Sequence, residues 1–390
     1  MRRGLVVAAA FAAGAVVGGA VMLAVPVPGM PDASPPAPAS SPAVLGEAPV
    51  PTLLAWTPGE LPAGYAEAVR DLRGVEAVAE VRSGVAWLEG WRDEGEVGRP
   101  PAGYRIPVEV GAVDPRTYAR FVAPSDRGLV GELAGAVLGR TFAEMHGVDR
   151  GGVVVVGGSS IEVEGVLEDE LIGAHEIVVP TDLGARMGIV RSRYLLVLPA
   201  DGRAPRVESA LRRLVPAGVR VRVRSPGETP VFRHGDAVLP QVRVKEVFGE
   251  FAAQQLDGGL IRPHPAWVRA NIRTARVAIL GRIRCHRLLV PLIRSALEDL
   301  DRRGLGHLVD PSDYGGCYYP RFIARDPGTG LSHHSWGMAI DVNVSQGLPG
   351  RQPTLDPRVV EAFEAQGFKW GGEFLVPDGT HFEFVRFPSS

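Results

Sequence analysis

The sequence predicts an α+β fold in two folded units behind an N-terminal transmembrane helix. Three observations carry this. At 390 residues the chain exceeds one typical domain. A hydrophobic fraction of 45% against 22% charged residues lets most of it build cores. Strand-like and helical runs are mixed in short pieces from Gly59 onward, behind an uncharged N-terminal run and a proline-rich stretch. The net charge is −2 and the arginines are scattered, which leaves no footprint for nucleic acid.

Met1-Arg2-Arg3 is a short cationic start, and Gly4 to Val25 follows without a charge. That run is long enough to cross a bilayer, which takes about 20 apolar residues. A cleaved signal has a shorter apolar core, roughly 7–15 residues, followed at once by a small-residue cleavage site. Here Pro26-Val27-Pro28 follows, and the clear A-x-A, Ala37-Pro38-Ala39, lies well downstream. Residues 1–27 therefore read as an uncleaved signal-anchor, with a cleaved signal peptide and secretion as the alternative. Both arginines precede the span, so the start stays in the cytoplasm and the remainder is exported. Residues 28–58, with PDASPPAPASSP at their heart, cannot build a core and read as an extended tether. Export means an oxidising environment. Cys285 and Cys317 are then candidates for one disulfide, two buried free thiols being the alternative.

Residues 59–235 are expected to form the first folded domain. Gly64–Arg73 has the pattern of a short amphipathic helix. Val75–Leu88 alternates and is expected to contain two strands. Tyr104–Val110 is strand-like, with Pro107 pushing it towards an edge or bulge. Leu129–His146 has helical spacing and ends at Gly147. Val153–Val156, a turn at Gly157-Gly158-Ser159-Ser160, and Ile161–Val166 form the clearest hairpin. Glu176–Pro180 is a strand, Thr181–Met187 a helix capped by Thr181, Tyr194–Leu198 a strand, Ala204–Leu214 a helix and Val219–Val223 a strand. His146, His175 and His234 stand in unrelated contexts and form no catalytic cluster. The wording from YRIPVEVGAVDPRTYARF through LGRTFAEMHGVDRGGVVVVGGSSIEVEGVL to HEIVVPTDLGARMGI resembles the extracytoplasmic domain of FtsX/MacB-type transporter permeases. The resemblance implies a mechanical or protein-binding module with a protein partner. With a single membrane span expected, transport is not implied.

The Pro/Gly-rich stretch Ser225–Gln241 marks the boundary to a second domain, residues 236–390. Val242–Asp257 and Pro265–Ile272 are expected to be helical and Ala275–Ile279 a strand. His286–Arg303 is a strong amphipathic helix closed by Gly304. Asp310–Tyr319 is turn-rich. Asp356–Gln366 is a helix with proline at an early position, ended by Gly367.

The chemistry concentrates in two stretches of this second domain, LSHHSWGMAID (Leu331–Asp341) and DGTHFE (Asp378–Glu383). His334, Asp341 and His381 offer two imidazoles and a carboxylate to one metal ion. Three such ligands with a position left for water is the arrangement of a catalytic rather than a structural zinc site. Asp378, three residues before His381, is a spare carboxylate placed to act as general base; the turn Pro377-Asp378-Gly379 aims it. His334 is expected at the start of a strand and Asp341 at its end. That odd spacing would put them on opposite faces, so a bend at Gly337 is needed. His381 and Glu383 share a face, with Glu383 behind an imidazole and fixing its tautomer. His333 is expected to point the other way. Trp336 and Trp370 suit core packing as well as a cleft wall.

Ser332-x-His334-x-x-Gly337-x-Ala339-x-Asp341, followed by Asp378-x-x-His381-Phe382-Glu383, resembles the zinc D-Ala-D-Ala carboxypeptidase and L-Ala-D-Glu endopeptidase family, the VanX/VanY-like peptidases of bacterial cell walls. GRIRCHR, GGCYYPR, the DVNV at Asp341 and GFKWGGEF extend the likeness over roughly Gln241 to Pro388. It implies an α+β domain with a small antiparallel sheet, Zn2+ as cofactor and peptidoglycan stem peptides as substrate. It also implies an arginine near Arg321 that holds the developing oxyanion or the substrate, with Arg325 a rival. The expected activity is that of a cell-surface zinc metallopeptidase in which Asp378 moves a proton from water to the leaving amine. The alternative is a catalytically degenerate cell-wall binding or scaffold protein acting through the middle domain.

Overall fold

The computed structural model describes residues 52–215, 221–224, 239–347 and 349–388. The expected span Gly4–Val25, most of the tether and most of Ser225–Gln241 lie outside them. Among the described residues no helix is long and apolar enough to cross a membrane.

The middle part is built on one mixed sheet. Its strands are β1 (Leu53–Trp56), β2 (Val75–Asp93), β3 (Glu96–Gly98), β4 (Ile106–Val113), β5 (Ala136–Gly139), β6 (Val153–Val156), β7 (Ser159–Leu167), β8 (Ile177–Pro180), β9 (Ser192–Pro199) and β10 (Arg222–Arg224). Their order is β10-β1-β9-β2-β4-β8-β5-β7-β6; β3 pairs with β2, and β6 returns to pair with β2 as well. Strands β2, β4, β8, β5, β7 and β6 thus close into a circuit. Pairing is parallel at β4–β8 and β5–β7 and antiparallel elsewhere in the sheet.

Strand β2 decides this arrangement. Val75–Leu88, read as two strands, is one strand that runs on to Asp93. Ser83 and Gly84 break the apolar alternation, but the ladder carries the chain past them: β9 partners Val75–Arg82 and β4 partners Val81–Leu88. Pro107 is not at an edge. It lies opposite Trp87 in β4, a strand with neighbours on both sides. The missing N–H leaves no ladder bond unmade, because β8 pairs only with Val110–Val113, and the Pro107 carbonyl accepts from Gln241 Nε2 at 3.1 Å.

Leu129–His146 is not one helix. Arg127–Gly131 and Arg140–His146 are helical, and between them β5 is buried along its whole length. A short wholly apolar run has no periodicity to separate strand from helix. The expected hairpin is present as β6–β7, but Ser159 and Ser160 belong to β7 rather than to the turn, which is only Gly157 and Gly158 at φ 56° and 77°, the doubly left-handed turn that suits the strand twist. Thr181 is the first residue of the helix Thr181–Arg186 rather than its cap, a position taken by Pro180. Strand β1 falls within residues 28–58, read as tether. Its apolar Leu53-Leu54-Ala55-Trp56 is buried against β9 and β10, so the fold begins before Gly59.

From Gln241 onward the sheets are small and antiparallel: β11 (Ala253–Gln255) with β12 (Ile261–Pro263), β13 (Ile272–Val277) with β14 (Gly281–His286), and β15 (Ala339–Asp341), β16 (Phe368–Trp370) and β17 (His381–Phe384) with β17 central. The helix expected over Val242–Asp257 stops at Phe248, and its tail supplies β11. The strong amphipathic helix spans Leu289–Arg302, because His286 still belongs to β14; it buries Leu289, Ile293, Ala296, Leu297 and Leu300 at helical spacing. Cys285 of β14 and Cys317 form a disulfide across 32 residues. Closing such a loop contributes about 3–4 kcal/mol in the chain-entropy account. Thiol labelling of unfolded, unreduced protein is expected to find no free thiol; two labelled cysteines would contradict the pairing.

The middle and C-terminal parts share a buried ionic contact. Lys245, in the helix Gln241–Phe248, pairs with Glu176 beside β8 and with Glu250 at 2.9 Å. Gln241 Nε2 and the Glu109 amide both donate to Glu176 Oε2 at 2.7 Å, and His146 Nε2 meets Glu250 Oε2 at 3.1 Å. Charges this deep are tolerated because each is paired and hydrogen-bonded. Burial alone would raise the Glu250 carboxyl, but Lys245 and His146 outweigh it and bring it down to about 2. Burial, helped by Arg287, pushes His286 down to about 4. Both groups therefore bind fewer protons folded than unfolded. The stability they give is present above their ordinary values and lost on acidification, through His286 from about pH 6.5 to 4 and through Glu250 from about 4.5 to 2. The His286 step is worth on the order of 3 kcal/mol, while burial raises the Glu176 carboxyl that shares Lys245 and so opposes the Glu250 step. Denaturant midpoints are expected to fall from about pH 6.5 downward, with the first step missing in His286→Gln; a variant that keeps the full step would contradict this.

Candidate metal centre

Strands β15 and β17 place two site residues by register. Ala339 is opposite Glu383, Ile340 opposite Phe382 and Asp341 opposite His381. Opposite residues of an antiparallel pair share a face. Asp341, His381, Glu383 and the small Ala339 therefore lie on one side. Ile340 and Phe382 are buried on the other, where Phe382 stacks on Phe363 of the helix Pro357–Glu364.

His334 arrives by another route. The expected strand start is instead a single 3-10 turn, His333–Ser335, and the bend falls at Gly337 with φ 66°. A side chain at Gly337 would also press on the backbone of His286 and Cys285, so close approach and conformation both demand glycine there. The turn buries His334, whose Nδ1 donates to the Cys317 carbonyl at 2.9 Å. That bond holds the ring with Nε2 turned towards Asp341 and His381. Nε2 stands 3.2 Å from Asp341 Oδ1 and 3.3 Å from His381 Nδ1, and His381 Nδ1 stands 2.9 Å from Asp341 Oδ1. A tetrahedral zinc about 2.0–2.1 Å from its ligands holds them roughly 3.3 Å apart. The two nitrogens and one oxygen are thus gathered as such an ion requires. A donor set rich in imidazole suits zinc rather than magnesium or calcium.

The charges in the cluster lean on one another. Burial raises the Asp341 carboxyl, but His334 and His381 overcome this and hold it well below the usual carboxylate range. Burial lowers His381, while hydrogen bonds to Asp341 and Glu383 push it up to about 10. An incoming metal ion therefore has a proton to displace. Burial raises Glu383, and His333 and His381 bring it far down. Glu383 Oε2 lies 3.4 Å from His381 Nε2, behind the imidazole as expected, and 2.8 Å from His333 Nδ1. His333 does not point away. A 3-10 turn advances about 120° per residue where a strand advances 180°, and this brings the ring onto Glu383. The His333-His334 doublet was the one sequence signal for this supporting role.

Asp378 stands ahead of His381 in a pinned turn. Its amide donates to Gly371 O at 2.9 Å and its carbonyl accepts from His381 N at 3.2 Å. Thr380 Oγ1 donates to its Oδ1 at 2.9 Å, and Trp370 Nε1 holds Gly379 O at 3.0 Å. Its carboxylate makes no hydrogen bond to the three clustered residues. Arg321 lies against the His334 turn: its amide donates to Ser335 Oγ at 3.1 Å and its carbonyl accepts from Ser332 N at 3.0 Å. The guanidinium carbons of Arg321 and Arg325 sit 5.7 and 5.6 Å from the centroid of the Tyr319 ring. Tyr319 N donates to His334 O at 2.9 Å. Both arginines thus reach one ring beside a cluster residue. Trp336 is 1% exposed and donates to Gly249 O, which makes it core rather than cleft.

Residues 325–384 match the D-alanyl-D-alanine carboxypeptidase family. The matched segment holds His334, Asp341, Asp378 and His381, and Arg321 lies just before it. This is the family that the two sequence stretches resemble. No curated protein matches the chain. Among solved structures it is similar to the periplasmic region of MacB from Actinobacillus actinomycetemcomitans, at 11% identity over 45% of this chain and 88% of that one, with a TM-score of 0.32. It is also similar to the extracellular domain of the noncanonic ABC-type transporter YknZ from Gram-positive bacteria, at 15% identity over 45% and 98%, with a TM-score of 0.31. These likenesses fall on the middle part and do not bear on activity.

Proposed function

We propose that the chain is a zinc-dependent peptidase acting on peptidoglycan stem peptides at the cell surface, of the D-Ala-D-Ala carboxypeptidase or L-Ala-D-Glu endopeptidase type. The observation that carries this reading is the convergence of ligand atoms from His334, Asp341 and His381 within 4.8 Å of one another, inside the segment that matches a peptidase family. These three residues would hold the ion, with the Cys317 carbonyl and Glu383 orienting the imidazoles. Zinc, when bound, supplies Lewis acidity and lowers the pKa of water. Asp378 takes the proton of the attacking water and passes it to the leaving amine, its carboxylate steadied by Thr380. Arg321 holds the amide oxygen as negative charge develops on it. The Cys285–Cys317 disulfide supports export, since such bonds persist in oxidising compartments, and Gly4–Val25 would tether the exported part to the membrane.

The test is metal removal and return. Chelated protein should cleave neither a D-Ala-D-Ala nor an L-Ala-D-Glu peptide, and one equivalent of zinc should restore cleavage of one of them. Turnover that survives full metal removal would sink the zinc reading. Stoichiometric zinc without turnover would favour the scaffold alternative.

A further inference from the structure

The loop from Phe322 to Leu331 carries Arg325 and is closed by a β-bridge between its two ends. Inside it Ala324 and Arg325 have φ of 52° and 58°. Consecutive left-handed residues other than glycine cost conformational energy and persist where the surroundings over-determine them. Gly259, whose carbonyl accepts from Phe322 N at 2.9 Å, supplies part of those surroundings, and the middle part supplies the rest. Arg191, just before β9, donates to Asp326 through Nη1 at 2.5 Å and Nη2 at 3.2 Å. Asp326 Oδ1 also accepts from Gly328 N at 2.9 Å, and its carbonyl accepts from Thr329 Oγ1 at 2.7 Å. Arg193 of β9 is buried, with Glu109 of β4 and Asp326 as the negative charges near it. Trp87 of β2 packs edge-on against Phe322, ring centroids 6.5 Å apart. On the loop's other side Arg325 Nη2 donates to the Tyr319 hydroxyl at 2.5 Å, and Tyr319 N donates to His334 O at 2.9 Å. A line of direct contacts therefore runs from the middle sheet through Arg191, Asp326, Arg325 and Tyr319 to a proposed metal ligand.

We propose that Arg191 is a positioning residue for the peptidase site: its two-pronged grip on Asp326 fixes the turn that presents Arg325 to Tyr319, the residue bonded to the His334 carbonyl. The middle sheet is then part of the substrate-binding apparatus rather than a separate module. The planar guanidinium matters here because two parallel bonds fix direction, where a lysine supplies one point charge. The catalytic consequence rests on the peptidase reading; the grip on the loop does not.

The test uses the full chain as wild type, Arg191→Ala, Arg191→Lys and the exchange Arg191→Asp with Asp326→Arg. Three quantities are read: amide hydrogen exchange over residues 323–331, zinc per chain, and kcat and KM on a stem peptide. Arg191→Ala should speed exchange in the loop about tenfold and raise KM about tenfold, with kcat changed less than about threefold and zinc unchanged. Lysine should recover part of this, and the charge exchange more than alanine does. Loop exchange and KM unchanged in Arg191→Ala, zinc lost from it, or an exchanged pair no better than alanine would each overturn the proposal. Should Arg191→Ala fail to fold, Asp326→Asn releases the same grip from the loop side and is read in the same way. Should the wild type cleave no stem peptide, the peptidase reading fails by itself, and loop exchange alone decides the grip.

Discussion

His381→Ala is expected to leave the protein without stoichiometric zinc and without measurable hydrolysis. The loss removes one of three donors, and the two that remain, His334 and Asp341, fall short of the three protein ligands of a catalytic zinc site. The fold should survive. His381 shares its face of β17 with Glu383, while Phe382 and Phe384 hold the strand to the core from the other face. Circular dichroism should therefore be unchanged while metal analysis falls from one zinc per chain towards none. A purified variant that keeps stoichiometric zinc would mean the ligand set is wrong.

Asp378→Asn is expected to keep the metal and lose the chemistry. Asparagine preserves size and much of the turn, including an oxygen for the Thr380 hydroxyl, but cannot carry a proton. The hydrolysis rate should fall by roughly 10²–10⁴-fold, the usual cost of a positioned general base. KM should change little, because the loss is felt in the transition state. The rival base is Glu383. It is engaged by both His333 and His381, which suits a residue that orients ligands. Glu383→Gln should accordingly weaken zinc affinity by about 10–100-fold. Near-normal turnover in zinc-loaded Asp378→Asn beside collapse in zinc-loaded Glu383→Gln would move the base to Glu383.

The clustering of His334, Asp341 and His381 was more legible in the sequence than the fold around it. Two short stretches name the clustered residues because metal chemistry restricts residue type and spacing; the bend does fall at Gly337, but the strand from His334 whose parity called for it is a 3-10 turn. His333 was misplaced because alternation was carried into a segment that is a 3-10 turn. In the middle part the hairpin at Gly157-Gly158 was visible since both turn residues require glycine-like conformations. The strand Ala136–Gly139 was not, since four buried apolar residues carry no period. The unbroken length of β2 was hidden for a different reason: it is set by partners far away in sequence. The contact of Arg191 with Asp326 spans 135 positions, and nothing local in either residue announces it.

The most direct test of the account is the mass of muropeptides released from isolated peptidoglycan by the purified zinc-loaded protein, with the zinc-loaded Asp378→Asn variant in parallel. The wild type is expected either to remove a terminal D-alanine from the stem or to cleave between its L-alanine and D-glutamate, and the variant to do neither. Muropeptides left unchanged by wild-type protein carrying one zinc per chain would contradict this.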